Sequence, residues 1–395
     1  MLLLIVLANS AYYLYGRDHS GSSAHPLDGS TVEKFVQAVM IIGVDLRVYP
    51  MFAFLFGYGL MMMIRSQRKK GISDRDARGL VQRRNLWLIV LGAVHAVLLW
   101  GGDVLGAYGL TGLILVWFFM RRSDRTLLVW AAIGTTLLFL VAALSVLEGL
   151  AILAGEQAPN GVGAWATGLI TQSVSAENVV TAAIARITLW PIQIFAVQGI
   201  AGMVVPVSIL LGIWAARRRV LERPGQHRRL LWIVAVGGIA IGWAGALPHA
   251  LTHVGIFGDL EPMLSSFAAP QMVTGLACGL GYVAVFGLIG DRLSGRALGS
   301  WAGAVSAVGK RSMTCYLAQS VLCAPLLAAW GFGLGARLDS ATMAAYAVGV
   351  WLITLVYAMY LERAGKAGPA ETLMRRLTYR VPNTPRRSPA HGETS

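Results

Sequence analysis

Apolar runs of about 20 residues recur along this chain, divided by short polar or basic stretches. Runs of that length match the hydrocarbon thickness of a bilayer. Their number exceeds what one soluble core could bury, and the composition agrees. Only 13% of the 395 residues are charged and 56% are hydrophobic, with a mean hydropathy of +0.62, whereas soluble domains carry about 25% charged residues. The short alternating strands of a membrane β-barrel are not visible. The fold class this dictates is all-α, a polytopic transmembrane bundle with about ten crossings. They are expected at 1–16, 48–64, 86–100, 104–120, 126–153, 191–215, 230–247, 271–289, 312–334 and 341–360.

The net charge of +14 invites a nucleic-acid reading, but its placement excludes one. Of the 33 basic residues, 28 fall in the segments 65–84, 121–125, 217–229, 292–311 and 363–387. Lys and Arg collect in cytoplasmic loops, and the alternation puts every one of these segments on one side. The charge therefore reports topology: a multi-pass membrane protein with both termini cytoplasmic. Residues 1–380 form a single membrane domain, and 381–395 are expected to be a disordered cytoplasmic tail. Cys278, Cys315 and Cys323 sit in apolar stretches without metal spacing and are expected to be free, buried thiols.

The chemistry concentrates in 91–112, LGAVHAVLLWGGDVLGAYGLTG. His95 stands in an otherwise apolar run, and Asp103 follows on a Gly101-Gly102 reversal that opens the next one. Ionisable groups inside a membrane are costly and commonly mark a site. The blander roles are a hydrogen bond to a neighbouring helix for His95 and an N-cap for Asp103. On one continuous helix, eight residues would separate the two by about 12 Å and about 80°. Direct contact therefore requires the glycine turn to fold Asp103 back.

Elsewhere, Asn9 is the strongly polar residue of the first run. The segment 31–43 is expected as an interfacial helix against the bundle, and GYG at 57–59 is a weak close-packing signal. Residues 154–190 read as a long outer segment with a turn at 159–161 and a surface helix over 178–190. A second interfacial helix is expected over 295–308. His249 and His253 would share a helix face, with Asp259 and Glu261 nearby. Pro248 and two glycines leave helix and loop both open, and two histidines without a fixed third ligand do not make a metal site. Tyr316, Gln319 and Ser320 form one polar stripe on a crossing, either interhelical glue or a cavity wall.

FAFLFGYGLMM, RRNLWLIVLGAVHAVLLWGGDVLGAYGLTGLI, VGKRSMTCYLAQSVL and GPAETLMRRLTYR resemble, in order, the signature blocks of the YeiB-like bacterial membrane proteins, a family of unassigned function. These blocks occupy 48–120 and 306–380. The family is similar in helix plan to the transmembrane acyltransferase superfamily. That resemblance implies transfer of an acyl group from cytoplasmic acyl-CoA, through the bundle, to an acceptor hydroxyl or amine on the outer side. The family's Asp-x-x-Arg-Gly start to the first helix would lie before the first residue here. Asn9 falls where the superfamily often has His or Asn.

Acyl transfer needs a base and a group that steadies the oxyanion. The expectation is His95 as base, with Asp103 orienting it or binding acceptor. Asn9, Tyr316, Gln319 and Ser320 would contact substrate, and Arg83 and Arg84, at the cytoplasmic end of the helix of His95, would hold the acyl-CoA. No metal is called for. The implied partners are the lipid bilayer and a small-molecule or glycan acceptor, with a second copy of the chain as a further candidate and nucleic acid excluded. The competing reading is a transporter or flippase for a small or amphiphilic solute, with His95 and Asp103 in the path.

Overall fold

The computed structural model describes residues 1–19, 23–156, 162–294 and 299–379, with 162–167 as backbone only. Its helices are α1 (Leu2–Ser10), α2 (Thr31–Gly43), α3 (Val48–Lys69), α4 (Asp74–Leu98), α5 (Val104–Phe119), α6 (Asp124–Leu153), α7 (Val162–Ser175), α8 (Val179–Ile192), α9 (Val204–Arg217), α10 (Arg228–His253), α11 (Ala268–Leu293), α12 (Ser300–Lys310), α13 (Ser312–Leu327), α14 (Ser340–Arg363) and α15 (Pro369–Thr378). Among the described residues there is no strand, and an isolated bridge joins His19 to Pro26. Among the described residues, six helical segments are long and apolar enough to cross a membrane, and four shorter apolar helices accompany them. The chain is a multi-pass helical membrane protein.

Helix ends follow the local chemistry. Ser30, Ser73, Ser123 and Asp339 each accept a hydrogen bond from a backbone N–H in the first turn that follows, satisfying donors a helix start leaves orphaned. Outward faces stay apolar: Phe118, Phe139, Leu144, Ile233 and Val236 are exposed, as lipid contact demands. Inward faces pack through small residues. A β-carbon on Gly57 would meet the Ile209 carbonyl oxygen at 2.3 Å, and one on Gly212 would meet the Phe54 carbonyl oxygen at 2.1 Å. These two glycines thus set the approach of α3 and α9. Gly59, the second glycine of GYG, meets nothing.

The basic segments gather at one end of the bundle. Arg65 pairs with Glu222, and Arg217 and Arg218 both reach Asp124. Lys310 and Arg311 share Glu362. Arg83 donates to the Thr378 carbonyl (3.2 Å), so both the α3–α4 region and the late basic segment close the same face.

Some expectations change. The crossing placed at 191–215 is not one helix. Pro191 lies inside α8, which passes into a π-turn over Gln193–Val197, and the chain breaks before α9 begins at Val204. The proline, which has no N–H to donate, and the glycines at 199 and 202 account for a break that hydropathy does not register. The open question at 248–253 resolves to helix: Pro248 is inside α10, and both histidines are buried. Helix α2 spans the segment expected to lie against the bundle, where Gln37 donates to the Ser340 hydroxyl (3.0 Å). Helix α12 begins at Ser300, inside the second expected interfacial segment. The three cysteines are free and buried. The turn at 159–161 and the tail 381–395 lie outside the described residues.

Candidate active site

Helix α4 ends because the chain reverses at two glycines. The His95 carbonyl accepts from Leu99 N–H (2.9 Å) and Trp100 N–H (3.1 Å), and Asp103 then caps α5. The two roles weighed for Asp103 turn out to be one arrangement. Its Oδ2 accepts from the Gly106 N–H (2.8 Å), as an N-cap does, and its Oδ1 accepts from the Nδ1–H of His95 (2.8 Å). Fold-back is possible because the helices touch at glycine. A β-carbon on Gly92 would sit 2.4 Å from the Gly106 nitrogen and 2.5 Å from Asp103 Oδ2.

The other ring nitrogen of His95 faces α13, 225 residues further on, where the Ser320 hydroxyl lies 2.8 Å from Nε2. A carboxylate can only accept, so it holds the proton on Nδ1 and leaves the Nε2 of a neutral ring to accept from Ser320. Asp103 is 0%, His95 3% and Ser320 8% exposed. The result is an Asp–His–Ser hydrogen-bond chain shielded from bulk water, in the order a hydroxyl-activating base requires.

The stripe on α13 points to this place. The Tyr316 ring lies 5.2 Å from the His95 ring, centroid to centroid. Gln319 and Ser320 line a narrow pocket of about 20 Å³ with Asn9, Trp100 and Tyr316. Asn9, Trp100 and Tyr316 also border a larger cavity of about 290 Å³. The Trp100 indole, stacked on Tyr13 at 4.8 Å, has a buried N–H with no hydrogen-bond partner. The helix α13 start has no cap of its own. Glu371, from the late GPAETL block, supplies one: its carboxylate accepts from the N–H groups of Met313 (2.8 Å) and Thr314 (3.1 Å) and from the Thr314 hydroxyl.

The C-terminal turn of α4 is held from outside. Arg186 is buried and donates to the carbonyls of Val97 (2.9 Å) and Ser173 (3.3 Å), with its guanidinium over the Trp330 ring. A cation satisfies carbonyls that a helix end leaves free.

The expected residues therefore divide. His95, Asp103, Asn9, Tyr316, Gln319 and Ser320 come together. Arg83 and Arg84 lie at the basic end, engaged with the protein itself: Arg83 holds α15, and Arg84 stands 5.4 Å over the Phe56 ring. A cavity of about 620 Å³ at that end is lined by other residues, among them Met1, Glu222, Arg223 and Asp291.

Sequence reasoning missed a second polar group at the far side of the 290 Å³ cavity. Asp45 accepts from His25 Nε2 (2.9 Å), His249 contacts the Gln271 side chain, and His253 donates to the Pro26 carbonyl (3.1 Å). Buried Arg47 donates to the carbonyls of Asp45 and Gly242. The signal was present as a shared face for His249 and His253, but their neighbours come from a loop more than 200 residues earlier. Among the described residues, no group of three or more His, Cys, Asp or Glu side chains is placed to hold a metal ion.

Fold and site thus define a class: a polytopic helical membrane protein with a buried Asp–His–Ser chain where three helices meet. Residues 215–381 match the family described as protein of unknown function (DUF418). The chain is 26% identical over 338 residues to the uncharacterized protein YxaH of Bacillus subtilis (strain 168), covering 83% of this chain and 78% of that protein. It is 25% identical over 349 residues to the uncharacterized protein YeiB of Escherichia coli (strain K12), covering 85% and 83%. Family match and relatives together make the chain similar to the YeiB-like proteins, for which no function is assigned. No solved structure matches it.

Proposed function

We propose that this protein is a membrane-bound acyltransferase. It takes an acyl group from cytoplasmic acyl-CoA and delivers it to a hydroxyl or amine of a small-molecule or glycan acceptor at the opposite face of the inner membrane. The reading is carried by one observation, the His95 imidazole fixed between a carboxylate and a hydroxyl. His95 Nε2 removes the proton from an attacking hydroxyl, and Asp103 stabilises the imidazolium that forms. The proton then passes to the leaving thiolate, so no net charge remains in the low-dielectric interior. The Trp100 N–H and the Tyr316 hydroxyl, both buried without a hydrogen-bond partner on residues that line the pocket with Ser320, are the donors available to a developing oxyanion. The basic end, with Met1 and Thr378 near it, faces the cytoplasm on the positive-inside rule, which puts the thioester donor on that side.

The test uses the full chain in proteoliposomes with radiolabelled acetyl-CoA and, in separate vessels, polar-lipid and water-soluble extracts of bacterial envelopes. Label moves to an acceptor with the parent chain and not with His95→Gln. Intact thioester with every extract refutes the reading. A solute flux that follows the proton gradient and is lost in His95→Gln would instead install the transporter.

A further inference from the structure

We propose that Ser320 is the covalent nucleophile of this site, carrying the acyl group as an ester between donor and acceptor. This rests on the acyl-transfer reading and adds to it a two-step mechanism with a named carrier.

The argument begins with what hydroxyls on these helices usually do. A serine or threonine in a helix ordinarily turns back on its own backbone, three or four residues earlier. Ser208 donates to the Val204 carbonyl, Thr135 to Ala131, Thr188 to Ile184, Ser10 to Leu7 and Ser173 to Ile170. Ser320 instead aims its hydroxyl across the helix interface at His95 Nε2, 2.8 Å away. It thereby occupies the one ring nitrogen able to accept a proton, because Nδ1 is committed to Asp103. The group His95 deprotonates first is therefore Ser320, and an incoming acceptor hydroxyl reaches Nε2 only after the Ser320 oxygen has been acylated and its proton has left.

The surroundings suit a carrier. Ser320, Trp100, Tyr316 and Asn9 line the same narrow pocket, and the buried indole N–H and the Tyr316 hydroxyl have no hydrogen-bond partner there, which leaves two donors for an oxyanion on the carbon that Ser320 attacks. Asn9, Trp100 and Tyr316 also border the 290 Å³ cavity, which leads away toward Asp45, His249 and Gln271 and gives the acceptor a separate approach. In the first step Ser320 Oγ attacks the thioester carbonyl and its proton passes to His95. The C–S bond then breaks and the thiolate takes that proton, leaving free CoA and an ester on Ser320. In the second step an acceptor hydroxyl attacks the ester carbonyl and gives its proton to His95. The C–Oγ bond breaks, and Ser320 recovers the proton as the acylated acceptor departs. Both steps balance without a further reactant.

The experiment treats the purified full chain in micelles with diisopropyl fluorophosphate, a small apolar reagent that phosphorylates activated serines with loss of fluoride. Peptide mass spectrometry reads the modified residue. The adduct is expected on Ser320, slowed about 10²–10⁴-fold in His95→Gln and absent in Ser320→Ala. Acetyl-CoA given without acceptor should leave a hydroxylamine-labile acetyl group on the same peptide. A folded parent chain that forms no adduct at Ser320 overturns the proposal, as does acyl transfer that survives in Ser320→Ala; in the latter case transfer is direct and the acyltransferase reading stands. A His95-dependent adduct on Ser320 with no acyl transfer to any extract keeps the nucleophile and removes the acyl-CoA reading.

Discussion

Gly92→Ala should damage the site without replacing any of its three side chains. The new methyl carbon would stand 2.4 Å from the Gly106 nitrogen and 2.5 Å from Asp103 Oδ2, about 1 Å short of the 3.4 Å at which ordinary van der Waals contact begins. Neither neighbour can yield cheaply, since one is backbone and the other is committed to both His95 and Gly106. Relief comes from parting α4 and α5 by about 1 Å, and overpacking of this kind costs about 1–3 kcal/mol. The same movement would carry the 2.8 Å bond between His95 and Asp103 out of hydrogen-bonding range. A 1 Å misplacement of reacting groups can lower a rate about 10²-fold. The assay is paired: the apparent unfolding midpoint in micelles, and the rate of fluorophosphate labelling at Ser320. Gly237→Ala on α10 is the control, because a β-carbon there meets nothing within 4 Å. It should leave labelling unchanged and favour the helix by up to about 1 kcal/mol. Parental stability and labelling in Gly92→Ala would refute the close-contact reasoning.

Asp103→Asn keeps the cap on Gly106 but presents an amide N–H to His95, so the ring proton moves to Nε2 and the ring can no longer accept from Ser320. Acyl transfer and serine labelling should both fall by about 10²–10⁴-fold with little change in unfolding midpoint. Glu371→Gln leaves one acceptor where three donors converge. It should cost about 1–3 kcal/mol and slow labelling at Ser320, although it lies well outside the site; an unchanged midpoint would show that Glu371 does not anchor α13. Single cysteines introduced at 123 and at 258, in a background with Cys278, Cys315 and Cys323 replaced by alanine, should react with an impermeant maleimide from opposite sides of the membrane, position 123 from the cytoplasm. The reverse pattern would invert the assigned topology.

Much of this protein is written locally. Hydropathy alone set the membrane class and most helix positions, because a bilayer imposes one length and one polarity on every crossing. His95 and Asp103 stood out in the sequence because ionisable groups in apolar runs are costly, but whether Asp103 touches His95, binds an acceptor or only caps the next helix stayed open until the fold-back was seen. Ser320 was visible as part of a polar stripe, but its role was not: Tyr316, Gln319 and Ser320 share a face whichever helix that face meets. Tertiary structure decided that α13 meets α4, that Glu371 caps α13, and that His25 and Asp45 join His249 and His253. It also showed that the stretch from Pro191 to Ala215 is broken rather than continuous. Periodicity specifies which residues of a helix face inward, whereas the partner they find there depends on how distant helices pack, and that information is spread over the whole chain.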